Sequence, residues 1–250
     1  MTEPASLSSR FDAELEAAVH SRPLADLFRA AFDESAAPGV LGFSFVTMDG
    51  LARLADRLRP RSPAVLLDAG CGWGGPGLWV AQRLGCPLVG IDFSAAGVRH
   101  ARERALSLGA EARFDLGTLQ ETGLPDGFAD AVMSVDALHF TPDPVAAGRE
   151  LLRSTRPGSP LVATLWKAPR GPQRLTRDHS ADLAAAGWSI DTIEDHPEWL
   201  EAQIRLYHAA LAIPASQADP AVARVQAEGR QLLDVLPSAR RLMIVCRHAN

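Results

Sequence analysis

The run Val65-Leu66-Leu67-Asp68-Ala69-Gly70-Cys71-Gly72-Trp73-Gly74-Gly75-Pro76 constrains this chain more than any other segment. A short apolar strand leads into clustered glycines, and Pro76 suits the first turn of a helix. Glycines let the backbone bend sharply and let a ligand approach the main chain closely. The rest of the chain repeats this strand-to-helix rhythm. Strands are expected at Val65–Asp68, Pro87–Asp92, Ala112–Leu116, Ala129–Ser134 and Pro160–Trp166, with helices at Pro76–Leu84, Ala95–Leu108 and Pro144–Ser154. Repeated βα units of this kind build a parallel, doubly wound sheet with helices on both faces.

The flanks read differently. In the first sixty residues Leu24, Leu27, Phe28 and Phe32 recur at helical spacing, as do Leu51, Leu54, Ala55 and Leu58, on either side of a turn-rich stretch, Pro38–Phe43. Beyond the fifth strand the pattern predicts a helix near Thr176–Ala186 and a strand near Trp188–Ile193. Helices over Pro197–Ala212 and Pro220–Leu233 and a strand-like run, Arg241–Cys246, follow. The expected organisation is an N-terminal helical lid segment (1–60), a ligand-binding α/β core (61–195), a helical cap inserted between the last two strands (196–238) and a last core strand (239–250). Such a cap would cover the ligand site, which lies beyond the carboxyl ends of the strands.

Composition narrows the function. A net charge of -5 over 250 residues argues against a phosphate-neutralising nucleic-acid surface. No apolar run reaches the length of a membrane span, and the acidic N-terminus lacks a signal pattern, so a cytoplasmic location is expected. Cys71, Cys86 and Cys246 are scattered and the histidines dispersed, which predicts no metal site. Lys167 is the sole lysine against many arginines, a bias that suggests a GC-rich bacterial source.

Two cofactors suit the glycine loop. Gly70, Gly72 and Gly75 satisfy the dinucleotide spacing G-x-G-x-x-G, which brings NAD into consideration. Asp68 decides against it, because a pyrophosphate at the helix N-terminus would meet a carboxylate there. S-adenosylmethionine (AdoMet) has no phosphate and carries positive charge, which a carboxylate favours. Asp92, about twenty residues beyond the glycines, sits where a carboxylate accepts ribose hydroxyls, and Ser94 is available to cap the next helix.

From Ala64 to Trp166 the chain resembles the class I AdoMet-dependent methyltransferases, most closely their small-molecule members: ubiquinone-biosynthesis, sarcosine and natural-product sugar O-methyltransferases. The resemblance is carried by Leu67–Gly74, Gly90–Ser94, Phe114–Leu119 with Gly123–Pro125, Ala129–Phe140, and Arg156–Gly158 followed by Leu161–Ala163. It implies a Rossmann-like, mostly parallel seven-stranded sheet, with AdoMet as cofactor and S-adenosyl-L-homocysteine as product. Ala69, Gly70, Cys71 and Gly72 would hold the methionine half, with Asp68 beside them and the Val135 carbonyl nearby. Asp92 would take the ribose and Phe93 line the adenine. The family's usual aspartate at the adenine amine is replaced by Thr118, with Leu119 contributing backbone, while Asp115 falls within the strand.

Methyl transfer requires alignment of nucleophile, methyl and sulfur, and exclusion of water. His139, just past the fourth strand, is the candidate general base, with pocket shaping as its alternative role. Asp136 is placed to orient His139, to bind an acceptor or to cap a helix. Phe140 stands where related sugar methyltransferases carry a second histidine, so a paired-histidine mechanism is not carried over. On the cap, His196, Trp199, Tyr207 and His208 lie on or near a helix that reads as burying Trp199, Leu200, Ile204, Tyr207 and Leu211, with the lining of an acceptor pocket as the alternative. Phe43 and Phe45 read as core packing, with a lid role as the alternative. The expected activity is methylation of a small-molecule acceptor, foremost a hydroxyl of a natural product or metabolite. C- or N-methylation, or an AdoMet-binding scaffold catalysing a non-methylating transformation, are its alternatives. No nucleic-acid or membrane partner is expected, and a homodimer is left open.

Overall fold

The structure, a computed structural model, describes residues 7–32, 39–40, 44–59 and 65–248. Phe43, most of the turn-rich stretch and Ala64 lie outside them. Seven strands form one sheet: β1 (Leu66–Ala69), β2 (Leu88–Asp92), β3 (Ala112–Leu116), β4 (Ala131–Val135), β5 (Pro160–Lys167), β6 (Trp188–Asp195) and β7 (Arg240–His248). Their order is β3-β2-β1-β4-β5-β7-β6, with β7 antiparallel to both neighbours and the first five strands paired in parallel. The order reverses between β1 and β4, which opens a crevice at their carboxyl ends.

Between the strands run α4 (Gly75–Leu84), α5 (Ala95–Leu108) and α6 (Pro144–Arg153). Ser94 caps α5 by accepting from the Gly97 amide, and Asp143 caps α6 by accepting from Ala146. β1, β2 and β4 are buried along their whole lengths, as central strands covered by helices on both faces must be. β4 starts at Ala131 rather than Ala129, because Ala129 instead bridges Thr155 in the turn after α6.

The expected single helix near Thr176–Ala186 is two short ones, α7 (Gln173–Thr176) and α8 (His179–Ala185). Arg177 is extended, and Asp178 starts the second helix by accepting from the Ala181 amide. Asp178 is thus a start signal embedded in an apparently continuous helical pattern.

Three N-terminal helices, α1 (Leu7–Val19), α2 (Arg22–Phe32) and α3 (Met48–Leu58), precede the sheet. α9 (Pro197–Ala212) and α10 (Pro220–Leu232) lie between β6 and β7; α9 packs on α2 and α10, and α10 also meets α1. Trp199, Leu200 and Tyr207 of α9 are buried, as its pattern predicts, but Ile204 and Leu211 are only half-buried and His208 is exposed. Ala202, Gln203, Leu206 and Ala210 are buried instead, because α9 is wedged between α2 and α10. Among the described residues no helix is long and apolar enough to cross a membrane.

Candidate active site

A cavity of about 640 Å³ lies over the carboxyl ends of β1, β2, β4 and β5, roofed by α1, α9 and α10. One half of it is the loop after β1. Gly70 has a φ of +83°, and a side chain there would drive into Ala137 at 2.2 Å. The loop is tied to β2 by the Gly70 amide donating to the Ile91 carbonyl (2.8 Å) and the Gly72 amide to Asp92 Oδ2 (2.8 Å). Ser134 Oγ donates to the Ala69 carbonyl (2.8 Å) from the other side.

Asp68 and Asp92 are both buried against this loop. Asp92 accepts one amide on each oxygen, from Gly72 and from Ser94 (2.8 Å each). Each oxygen keeps a lone pair, which is what a ribose diol requires. Burial raises the Asp92 carboxyl, opposed by those two amides. Asp68 is pushed up to about 7, by burial first and then by the neighbouring Asp92 charge. Its Oδ2 would be 2.2 Å from a β-carbon on Gly77, so Gly77 is what admits the carboxylate over the first turn of α4. That placement puts negative charge where a dinucleotide pyrophosphate would sit. A ligand carrying an ammonium and a sulfonium fits it, since a cation relieves the cost of ionising Asp68.

Of the residues singled out in the sequence, Asp68, Gly70, Cys71, Gly72, Asp92, Phe93, Thr118, Leu119, Val135 and His139 all line this cavity. Ala69 is buried beneath it, its carbonyl held by Ser134. Thr118 spends its hydroxyl on the Glu121 amide (3.1 Å), so its side chain shapes the turn beside the cavity. Asp115 does lie within β3, where it pairs with Arg102 and Arg113.

His139 sits on a 3-10 turn, Leu138–Phe140, and is only 4% exposed. Neither ring nitrogen has a hydrogen-bond partner among the described residues. Burial, aided by Arg241, His179 and Arg174, holds the imidazole well below its ordinary pKa, so it is neutral at pH 7. Its ring meets Trp166 edge-on, with centroids 4.6 Å apart.

Asp136 corrects the sequence-based expectation. It makes no hydrogen bond to His139 and caps no helix; it is a buried counter-ion. Its carboxylate accepts from Arg241 Nη2 (2.7 and 2.9 Å), Thr164 Oγ1 (2.7 Å) and the Phe45 amide (2.7 Å). Arg241 is wholly buried and lies over the Trp166 ring at 3.7 Å. Sequence reasoning does not single out this arginine, although a charge opening an apolar strand signals a buried partner elsewhere.

Sequence reasoning expects a lid and a cap over the site but names none of the α1 residues that roof it. In α1, Ser8 Oγ donates to the Phe93 carbonyl (3.1 Å), and Asp12 Oδ1 accepts from Ser94 Oγ (2.5 Å) and the Ala96 amide (3.0 Å). Phe11 is wedged edge-on between Phe93 and Phe140. On the far side, Gln203 of α9 accepts from Trp166 Nε1 and donates to the Tyr207 hydroxyl (3.0 Å each). Phe45 packs among Phe28, Phe32, Trp166 and Tyr207 and also faces the cavity, combining the core and lining roles.

Comparison with known proteins agrees with this geometry. Residues 66–158 match the model of a family described as a methyltransferase domain. Phosphoethanolamine N-methyltransferase 1 of Arabidopsis thaliana is 25% identical over 166 residues, 65% of this chain and 33% of that protein. The chain thus spans about a third of the first curated relatives it matches. The 27-O-demethylrifamycin SV methyltransferase of Amycolatopsis mediterranei (strain S699) is 28% identical over 61% of this chain and 66% of that one. Among solved structures, the [4+2]-cyclase SpnF superposes with a TM-score of 0.70 at 25% identity, covering 80% of each chain. Other structures of this fold hold S-adenosyl-L-methionine or S-adenosyl-L-homocysteine.

Proposed function

We propose that this chain, a member of the class I AdoMet-dependent methyltransferases, methylates a hydroxyl of a small natural product or metabolite. The observation that carries the reading is His139: a neutral, buried imidazole, both nitrogens unpartnered, lining the same cavity as the glycine loop. AdoMet supplies an electrophilic methyl carbon on a sulfonium leaving group. Asp68 and the 69–72 loop hold its methionine half, Asp92 its ribose, Phe93 and the 117–119 turn its adenine. His139 accepts the proton of the attacking hydroxyl, while Phe45, Trp166 and Leu232 keep water from the acceptor half. In this reading residues 1–60 act as lid, 61–195 as cofactor-binding core, 196–238 as acceptor-side cap and 239–250 as the closing strand.

Likeness to a rifamycin-type methyltransferase supports a natural-product acceptor. The phosphoethanolamine relatives support N-methylation as an alternative; C-methylation stands beside it, since it needs no residue this chain lacks. Likeness to SpnF favours one second reading, a non-methylating transformation on a retained cofactor scaffold.

The test is a screen of hydroxylated natural products with AdoMet, scoring S-adenosylhomocysteine formation. Consumption of an acceptor without S-adenosylhomocysteine would establish the scaffold reading instead. With a productive acceptor, His139→Ala should retain AdoMet binding and lose about 10²–10⁴-fold in turnover, the usual worth of general-base catalysis. Wild-type turnover in that variant would remove His139 as the base.

A further inference from the structure

The cavity wall behind His139 holds three costly features in contact. Asp136 is the sole described non-glycine residue with a left-handed backbone, at φ +53°. A conformation of this kind persists only where its surroundings impose it. Arg241 is a charge taken wholly out of water, an expense that packing alone would avoid. Its Nη2 serves Asp136 and the Phe45 carbonyl (2.9 Å), whereas Nε and Nη1 have no hydrogen-bond partner among the described residues. Instead the guanidinium plane lies 3.7 Å from the Trp166 ring centre. Trp166 is held at a second point, by Gln203 on the cap helix, and presents its ring edge-on to His139 at an interplanar angle of 88°.

His139 itself has no hydrogen bond to fix its ring, so packing must orient it. Asp136 immediately precedes the turn that bears His139, and Trp166 is the aromatic wall against that ring. We propose that the buried Asp136–Arg241 pair is the positioning element of this site, fixing the corner before His139 through Asp136 and bracing Trp166 from behind so that the imidazole keeps one orientation towards the cavity. The inference rests on the role given above to His139. The groups that face that imidazole electrostatically are Arg241 from β7, Arg174 from α7 and His179 from α8.

The experiment needs no acceptor. Protein carrying isotope-labelled histidine is titrated by NMR, free and with S-adenosylhomocysteine, and AdoMet binding is measured by calorimetry. In the wild type the His139 ring should give one sharp set of signals and stay neutral well below its ordinary pKa. In the double variant Asp136→Asn/Arg241→Met, which removes both charges together, AdoMet affinity should be retained. The His139 signals should broaden or split as the ring loses its single orientation. Unchanged His139 line shape in that variant would overturn the proposal. Should the double variant not fold, Arg241→Lys keeps a charge beside Asp136 and takes only the guanidinium away from the Trp166 ring. Broadened or split His139 signals in it would uphold the proposal, and a wild-type His139 spectrum would overturn it. Failure of the wild type to bind AdoMet would strike the functional reading, while the ligand-free titration still decides the clamp.

Discussion

The two halves of the cavity are built in opposite ways. On the cofactor side, short stretches of neighbouring residues do nearly everything: the 68–77 segment bends on its glycines, and Asp92 ties it with backbone hydrogen bonds. On the acceptor side the wall is assembled from side chains distant in sequence, namely Phe45, Asp136, Trp166, Gln203 and Arg241. The first half is set by the loop's own backbone and by its hydrogen bonds to the adjoining strands β2 and β4. The second half exists only when β4, β5, β7 and α9 are all in place, so its geometry can be retuned from many positions.

The largest expected effect falls on the distributed half. Arg241→Met alone strands the Asp136 charge in the interior and should cost about 3–5 kcal/mol in chemical denaturation. A loss no greater than that of the Asp136→Asn/Arg241→Met pair would show that the charge is not confined there. Next comes Asp92→Ala, which should weaken AdoMet about 10–100-fold by calorimetry, through loss of charge-assisted hydrogen bonds. Unchanged affinity would remove Asp92 from the ribose site. Gln203→Leu leaves the Trp166 indole N–H without its partner and takes one of two from the Tyr207 hydroxyl, and should cost about 1–3 kcal/mol of stability. AdoMet affinity should not follow; if it fell in parallel, the two halves would not be separable.

The smallest effect is one of pH. Asp68 rises from 3.8 to about 7 on folding, so the ligand-free native state binds more protons than the unfolded chain across that window. Its contribution therefore makes the ligand-free protein less stable as pH climbs through the window. A bound cation favours the ionised form, so AdoMet binding should release a proton below about pH 7 and tighten as pH rises towards it. The slope should be at most about tenfold in affinity per pH unit. Calorimetry in buffers of different ionisation enthalpy measures that proton; a pH-independent affinity from 6 to 8 would mean that Asp68 does not face the cofactor's charge.

The same contrast separates what is legible in the amino-acid sequence from what is not. The helices Ala95–Leu108 and Pro197–Ala212 and the strand Ala112–Leu116 coincide with their expected bounds, because periodicity and caps are local signals. Asp68 and Asp92 are legible for the same reason, being spaced along one βα unit. Asp136 is not, because its partner is 105 residues away, and nothing near it in sequence distinguishes a buried counter-ion from a helix cap. Gly77 passes for an ordinary helical glycine, since only the folded turn reveals the carboxylate above it.

The position of β7 carries one more consequence. It is hydrogen-bonded on both sides, to β5 and to β6, and it is the last of the seven strands to leave the ribosome. A nascent chain cut before residue 240 would carry the whole cofactor loop and both cap helices, yet it would leave β5 as an open edge and β6 without the strand it pairs with. It would also lack Arg241. Emergence of β7 thus closes the sheet and braces the wall behind His139 in a single event, so a chain halted short of it holds the cofactor motif without a finished reaction chamber.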